Sequence, residues 1–226
     1  MSGRRIHVIG AGGHAKVVVR TLLDCGYLVQ AIFDDNARRW GSQLLGCPVC
    51  GPVERIENAP GIPAIIAIGD NGTRQAIARR FDLVWATVAH PSALVDSTVR
   101  LGRGTVVLHR AVIQPDCRVG DHAIVNTAAT VDHDCVLGDF SHVAPGTHLS
   151  GAVTLGNGVM LGIGAVVTPG RRIGDATIVG AGAVLASHLP PGVVAYGVPA
   201  RAQRALFEES DSTKTGKDRR LLRRTG

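Results

Sequence analysis

The chain has 226 residues, a formal net charge of +6 and 45% hydrophobic residues, of which few are aromatic (4%). That length leaves room for one or two domains, and no stretch approaches the roughly eighteen uninterrupted apolar residues of a membrane span. The basic excess is concentrated at the end: residues 201–226 carry eight Lys and Arg against four acids, and residues 1–200 sixteen against fourteen. Nucleic-acid binding therefore has no support, and segment 207–226 reads as a basic, solvated tail without structure. Met1-Ser2-Gly3-Arg4-Arg5 leads straight into a buried-looking strand and not into a signal peptide, so a cytoplasmic protein without membrane insertion is expected. Five cysteines are scattered along the chain, an odd count that fits reduced thiols. Cys47-Pro48-Val49-Cys50 is a lone CxxC without a second pair; it reads as a coincidence in a loop, and no metal site is expected.

Taken in order, residues 1–90 read as a small parallel α/β domain. Ile6-His7-Val8-Ile9 is a short buried strand ending in the glycine turn Gly10-Ala11-Gly12-Gly13-His14-Ala15, followed by an apolar-periodic helix from Lys16 to about Cys25. A second strand, Leu28 to Phe33, ends in Asp34-Asp35-Asn36. A third, Ala64 to Ile68, ends in Gly69-Asp70-Asn71-Gly72 and opens a helix through Arg80; Leu83 to Val88 is read as a fourth. Ligands of open sheets bind at such strand ends. Gly10, Gly12 and Ala15 satisfy the dinucleotide fingerprint. Its physical content is a turn that lets a phosphate approach the backbone and a helix amino terminus. A domain of about ninety residues lacks the second half of a dinucleotide fold, so a nucleotide-sugar site is the better reading.

From Val95 to Leu185 every sixth residue is Val, Leu or Ile, without exception or insertion. Gly102, Gly120, Gly138, Gly156 and Gly174 add a second beat every eighteen residues. A strict six-residue period is the signature of the hexapeptide parallel β-helix, three hexads to a coil. Residues 91–206 are therefore expected to form a β-solenoid. The residue four after each aliphatic is usually small, which suits a tight corner, and the two before it are expected to point outward. Among the latter are His109, His122 and His133; His109, His122 and His148 read as surface groups. Cys117 and Cys135 share a hexad position and should stack, buried, in adjacent coils.

The hexad pattern resembles that of the left-handed β-helix acyltransferases. Together with the front domain it resembles the bacterial nucleotide-sugar acyltransferases of the sialic-acid and bacillosamine type. The resemblance covers roughly residues 4 to 204. It rests on Gly12-Gly13-His14, Phe33-Asp34-Asp35, Ile68-Gly69-Asp70-Asn71, Asn126 followed by His133-Asp134, Phe140-Ser141-His142, and Gly197-Val198-Pro199-Ala200. It implies a Rossmann-like domain followed by a left-handed parallel β-helix, a homotrimer with sites between subunits, and acetyl-CoA as co-substrate with no metal required. It also implies that Ala11, Gly12, Gly13, His14, Asp34, Asp35, Gly69, Asp70 and Asn126 hold the nucleotide sugar. His133 would be the general base with Asp134 beside it, and His142, Gly151, Ile163 and Ala181 would contact acetyl-CoA. Some relatives carry Glu where Asp134 stands, and Gly is seen in relatives where Ala181 stands.

The chemistry agrees with this reading. Transfer from a thioester needs a base for the attacking amine and donors for the oxyanion. A neutral imidazole suits the first task, and an adjacent carboxylate stabilises the imidazolium that forms. Neither Ser nor Cys occupies a nucleophile elbow, which favours direct attack over an acyl-enzyme. The expected activity is acetyl transfer to an amino group, by resemblance the 4-amino group, of a nucleotide-linked sugar. The alternatives are O-acetylation of a sialic-acid-like sugar, a trimeric zinc hydratase of the γ-carbonic-anhydrase kind, and a non-catalytic scaffold that binds nucleotide sugars.

Overall fold

The computed structural model describes residues 4–58 and 61–206. The expected basic tail, 207–226, lies outside them. The front of the chain forms a five-stranded sheet from β1 (Arg4–Ile9), β2 (Tyr27–Phe33), β3 (Gln43–Leu44), β4 (Cys47–Gly51) and β5 (Ala64–Ile66), in the order β3-β4-β2-β1-β5. β1 runs parallel to both β2 and β5, and β2 parallel to β4. Ile6, Val8 and Ile9 of β1 are fully buried, as a central parallel strand covered on both faces requires. Helix α1 (Gly13–Asp24) buries Ala15, Val18, Val19 and Leu22, a spacing that lays one apolar stripe on the sheet. Helix α2 (Asn71–Arg80) opens where the sequence predicts, but its one buried residue is a charged one, Arg74.

Two expectations about this domain are corrected. The CxxC is not in a loop: it lies on β4, paired with β3 in an antiparallel hairpin whose turn residues, Leu45 and Gly46, both take positive φ (51° and 80°). Strand alternation then buries Cys47 and exposes Cys50, so the two thiols face opposite sides of the sheet and hold no ion together. The fourth strand does not form over Leu83 to Val88. Only Trp85 bridges to Ala64, while Val84 is 68% exposed, and Val88–Ala89 pairs with the solenoid instead.

The rest of the chain winds as a left-handed parallel β-helix of three flat faces. Face one starts at Val88–Ala89 and continues through Val106–Val107, Ile124–Val125, His142–Val143 and Met160–Leu161 to Ile178–Val179. Face two runs from Leu94–Val95 to Val184–Leu185, and face three from Arg100–Leu101 to Arg172–Ile173. Neighbouring strands lie eighteen residues apart, as in Val112↔Thr130 and Arg118↔Val136. The periodic aliphatics fill the prism: Val107, Ile113, Val125, Val131, Leu137, Val143, Leu161 and Val167 are all but inaccessible. Each such side chain contributes roughly 1.5–3 kcal/mol on burial.

The corners refine the sequence reading. The third residue after each aliphatic takes positive φ at every corner from Gly104 to Gly182, including Asp116, His122, Asp134 and Phe140. The small residue one further on, such as Ala123, Cys135 or Ala165, is buried inside the bend; Cys117 and Cys135 are both inaccessible. The eighteen-residue glycine beat marks the corner between faces three and one. A Cβ on Gly120 would lie 2.6 Å from the Asp139 nitrogen, and one on Gly156 2.6 Å from the Asp175 nitrogen. There the Asp121, Asp139, Asn157 and Asp175 side chains each accept the backbone N–H of the residue one coil earlier, at 2.8–2.9 Å. The hairpin of Val193–Gly197 and Ala200–Ala205 closes the end of face one, covering an edge that would otherwise offer free backbone groups.

The front domain stands on face one. Val88, Val106 and Ile124 point outward from the prism and are buried in the same apolar cluster as Ile6, Val18 and Ile65. Arg74 rivets the joint. Its guanidinium, 1% exposed, donates to the carbonyls of His122 (2.8 Å), Phe140 (2.7 Å) and Ile68 (3.0 Å) and to Asn71 Oδ1 (2.7 Å). Asn71 Nδ2 in turn donates to the Gly158 carbonyl at 2.9 Å. Burial lowers the Arg74 pKa to about 10, which leaves it charged at neutral pH.

Candidate active site

The glycine turn after β1 forms the first part of the site. Gly10 holds φ +101°, and a Cβ there would meet Ile68 Cγ1 at 2.7 Å, so this position admits only glycine. Gly12 and Gly13 differ: a Cβ on either meets nothing within 4 Å, so open space lies in front of them. Gly12 caps α1 without any side-chain hydrogen bond, which leaves the first-turn N–H groups of α1 for an anionic ligand. Asp34 braces the turn, accepting from the Ala11 N–H at 2.6 Å and the Asn36 N–H at 2.9 Å. Asp35 accepts from the Val53 N–H at 2.9 Å. Arg39, unmarked in the sequence reading, donates to the Ala11 carbonyl.

α2 has the opposite arrangement at its start. Asp70 caps it, accepting from the Thr73 N–H at 2.7 Å, and these bonds hold its carboxyl below the usual range. Asp70 therefore closes the helix terminus that a phosphate would otherwise occupy.

Gly69, Asn126, His14 and His142 meet where α2 reaches the prism. Asn126 Oδ1 accepts from the Thr127 N–H at 2.8 Å, which turns its Nδ2 toward His142 Nε2 at 3.0 Å. His142 Nε2 is thus the acceptor, and Nδ1–H donates to the Gly69 carbonyl at 3.1 Å. The His14 ring lies 6.0 Å from that of His142, with its Nε2 buried and unbonded. Burial, with the Arg74 charge nearby, lowers both imidazoles to about 4, so both are neutral at pH 7. The sequence reading gave His142 to acetyl-CoA; in the single chain it is buried, with one ring nitrogen engaged by Asn126 of the prism and the other by Gly69 of the front domain.

His133 and Asp134 occupy the corner between faces two and three. His133 Nδ1 lies 2.7 Å from Asp134 Oδ2, and both side chains are mostly open to solvent. The Asp134 bond and the Asp132 charge raise the His133 pKa. With Nδ1–H given to the carboxylate, Nε2 presents its lone pair outward. The ring lies over Gly151, one coil on: a Cβ there would come within 2.5 Å of His133 Cε1. Ile163 and Ala181, both exposed, lie instead on the corner between faces one and two, stacked through the Gly182 N–H to Ile163 carbonyl bond. One chain therefore brings His133, Asp134 and Gly151 to one edge of the prism and Ile163 and Ala181 to another.

The comparisons bear on this arrangement. Residues 5–81 match the PglD N-terminal domain, and residues 152–187 the six-repeat bacterial transferase hexapeptide. The chain is 43% identical to PerB from Caulobacter crescentus, solved in complex with CoA and GDP-perosamine, with a TM-score of 0.83 over 88% of this chain and 97% of that one. The chain belongs to the hexapeptide-repeat nucleotide-sugar acetyltransferases. Within this family it is also 35% identical to the acetyltransferase domain of PglB from Neisseria gonorrhoeae, solved with acetyl coenzyme A; the TM-score is 0.84 over 89% of this chain and 100% of that one. A UDP-N-acetylbacillosamine N-acetyltransferase of Bacillus subtilis is 36% identical over 112 residues, 46% of this chain. Against the curated relatives the matched stretch spans about half or less of their length: 51% of the Bacillus protein and 21% of an uncharacterized protein of Acanthamoeba polyphaga mimivirus.

Of the remaining histidines, His122 departs most from the sequence reading. His122 is buried, stacked on Phe140 (5.2 Å, 3°) and edge-on to Trp85 (4.9 Å), because its positive-φ corner turns under the front domain. His109 stacks on His90 at 3.6 Å. His148 is exposed as expected, 2.8 Å from Thr130 Oγ1. Arg74 was missed, since a single Arg inside a polar helix carries no signal that it will be buried by an element yet to come.

Proposed function

We propose that this chain transfers an acetyl group from acetyl-CoA to an amino group, by resemblance the 4-amino group, of a nucleotide-linked sugar, with His133 as general base. The observation that carries the reading is the His133–Asp134 pair, at 2.7 Å and seated over Gly151. Nε2 of His133 takes a proton from the amine as its nitrogen attacks the thioester carbonyl. Asp134 holds the resulting imidazolium. The Gly151 N–H, which donates to no group among the described residues, is free to face the oxyanion. The C–S bond then breaks, the imidazolium returns its proton to the departing thiolate, and the N-acetylated sugar and free coenzyme A remain. No acyl-enzyme is needed.

The split of the site between two edges supports a homotrimer. A second copy that sets its Ile163–Ala181 corner against the His133–Gly151 corner completes a cleft that neither chain has alone. The turn at Gly12 and Gly13, with the uncapped start of α1, receives the diphosphate. Because PerB was solved with GDP-perosamine, GDP-linked amino sugars are the first acceptors to test, followed by UDP- and CMP-linked ones. The assay is thiol release from acetyl-CoA. Release that depends on an amino-sugar nucleotide supports the reading, whereas release that requires a hydroxyl acceptor would transfer it to O-acetylation.

A further inference from the structure

Outside this site, Asp24 at the end of α1, His90 just after the first prism strand and His109 on the next coil converge. Their ligand atoms all lie within 4.8 Å of one another. Asp24 Oδ2 is 3.2 Å from His90 Nε2 and 3.7 Å from His109 Nε2. Four ligands at about 2.0–2.1 Å around a tetrahedral zinc stand roughly 3.3 Å apart, so both spacings are within a few tenths of an ångström of what one ion needs.

We propose that Asp24, His90 and His109 form a binding site for a divalent transition-metal cation of the zinc class. Two features fit that ligand better than they fit an ordinary ion pair, the placing of His109 and that of Arg20. His109 Nε2, at 3.7 Å, is too far for a hydrogen bond to Asp24, yet it is turned toward the same oxygen as His90 Nε2. His90 is different: its Nδ1 accepts the Ser92 N–H at 3.0 Å and lies 2.7 Å from Ser92 Oγ, so its Nε2 carries the ring proton toward Asp24 and gives it up when an ion binds. Ser92 thus fixes the ring orientation, with Nε2 on the side of Asp24. Arg20 approaches Asp24 only through Oδ1, at 3.5 Å, and leaves Oδ2 to the histidines. Asp24 and His109 are each about a third exposed, so the remaining coordination positions open to water. The two imidazoles, stacked with a 25° tilt, need to fan apart slightly for both lone pairs to reach one ion.

The site joins three pieces of chain: the carboxyl end of α1, the entry to the prism and its second coil. An ion there ties the front domain to the prism on the side of α1, as Arg74 ties it on the side of α2. Two imidazoles and one carboxylate suit Zn²⁺, Co²⁺ or Ni²⁺ and not the hard oxygen-seeking cations.

The test uses the tag-free full chain, freed of metal by chelation and titrated with Zn²⁺ in a calorimeter, with Co²⁺ as a spectroscopic probe. The expected result is one saturable site per chain and a higher Tm with metal. His109→Ala and Asp24→Asn should each weaken binding by at least tenfold, while His148→Ala, at an exposed histidine elsewhere, leaves it unchanged. His109→Ala removes a partly exposed ring and should fold; circular dichroism checks this, and Asp24→Asn provides the same readout with no change in volume. Absence of a saturable site overturns the proposal, as does binding that survives both variants. A thiolate signature in the Co²⁺ spectrum would move the ion to a cysteine and overturn it equally.

Discussion

Gly151→Ala isolates the catalytic geometry from the fold. The added Cβ would lie 2.5 Å from His133 Cε1, 2.6 Å from Nε2 and 3.1 Å from Nδ1. An ordinary carbon contact needs roughly 3.5–4.0 Å, so the ring must retreat by about 1 Å. It can, because the His133 side chain is 59% exposed and its outward side is solvent. The backbone has no objection: Gly151 is not in the left-handed region. The cost in stability is therefore small, and Tm should stay within a few degrees of wild type. The retreat strains or breaks the 2.7 Å bond to Asp134 and moves Nε2 off its line of attack. A 1 Å misplacement of a reacting group costs on the order of a hundredfold in rate. In the thiol-release assay kcat should fall by about that factor, with the nucleotide-sugar KM little changed because the bonds of His133 run to Asp132 and Asp134 and not to the glycine turn. If Gly151→Ala turned over at the wild-type rate, the position of His133 over Gly151 would have no catalytic meaning.

Replacing Arg74 by Met strands the carbonyls of His122, Phe140 and Ile68 at a buried joint; urea unfolding should show a loss of about 3–5 kcal/mol, the range for removing one partner of a buried charged network, and a loss below 1 kcal/mol would mean the joint does not depend on it. Acid should unfold the protein early. His14, His122 and His142 have folded pKa values of about 4 against an ordinary 6.5, so the unfolded chain binds protons first and stability, complete above pH 6.5, declines as pH falls toward 4. Each group contributes up to roughly 3 kcal/mol, less where His14 and His142 repel each other; a Tm that stays flat from pH 7 to pH 4.5 would refute the burial argument. Asp34→Ala releases the Ala11 N–H and should weaken nucleotide-sugar binding by about tenfold or more, the worth of a charge-assisted hydrogen bond. Acetyl-CoA affinity, measured by calorimetry, should remain, and equal loss of both would mean the glycine turn is not the nucleotide site.

The solenoid was legible because its period repeats: sixteen aliphatics in register leave few other structures open. What repetition could not reveal is which outward positions the front domain would cover. Val106, Ile124 and His142, each just before a periodic aliphatic, carry no mark of burial in the sequence, and His122 reads as a surface group, yet each is buried because face one is the face the domain stands on. The turn of each corner was placed one residue late. Glycine marks the left-handed position at Gly104 or Gly158, but Asp134, Phe140 and His122 hold the same φ and hide it. The hairpin of β3 and β4 escaped because a two-residue strand offers no period to read. In the candidate site, the His133–Asp134 pair was singled out by adjacency together with the family resemblance, and the start of α1 by its glycines. Arg74, Arg39 and the tautomer-fixing contact of Asn126 with His142 arise from long-range contacts that no local pattern encodes.

The most direct measurement of the central claim is kcat for His133→Ala with saturating acetyl-CoA and amino-sugar nucleotide. The side chain points into solvent, so the fold survives its removal, and kcat should drop by about a hundredfold to ten-thousandfold, the usual contribution of a general base. The acid limb of the wild-type pH profile, set above 6.5 by the Asp134 bond and the Asp132 charge, should vanish with it. Wild-type turnover in His133→Ala would make His133 a surface histidine and send the search for the base to His142.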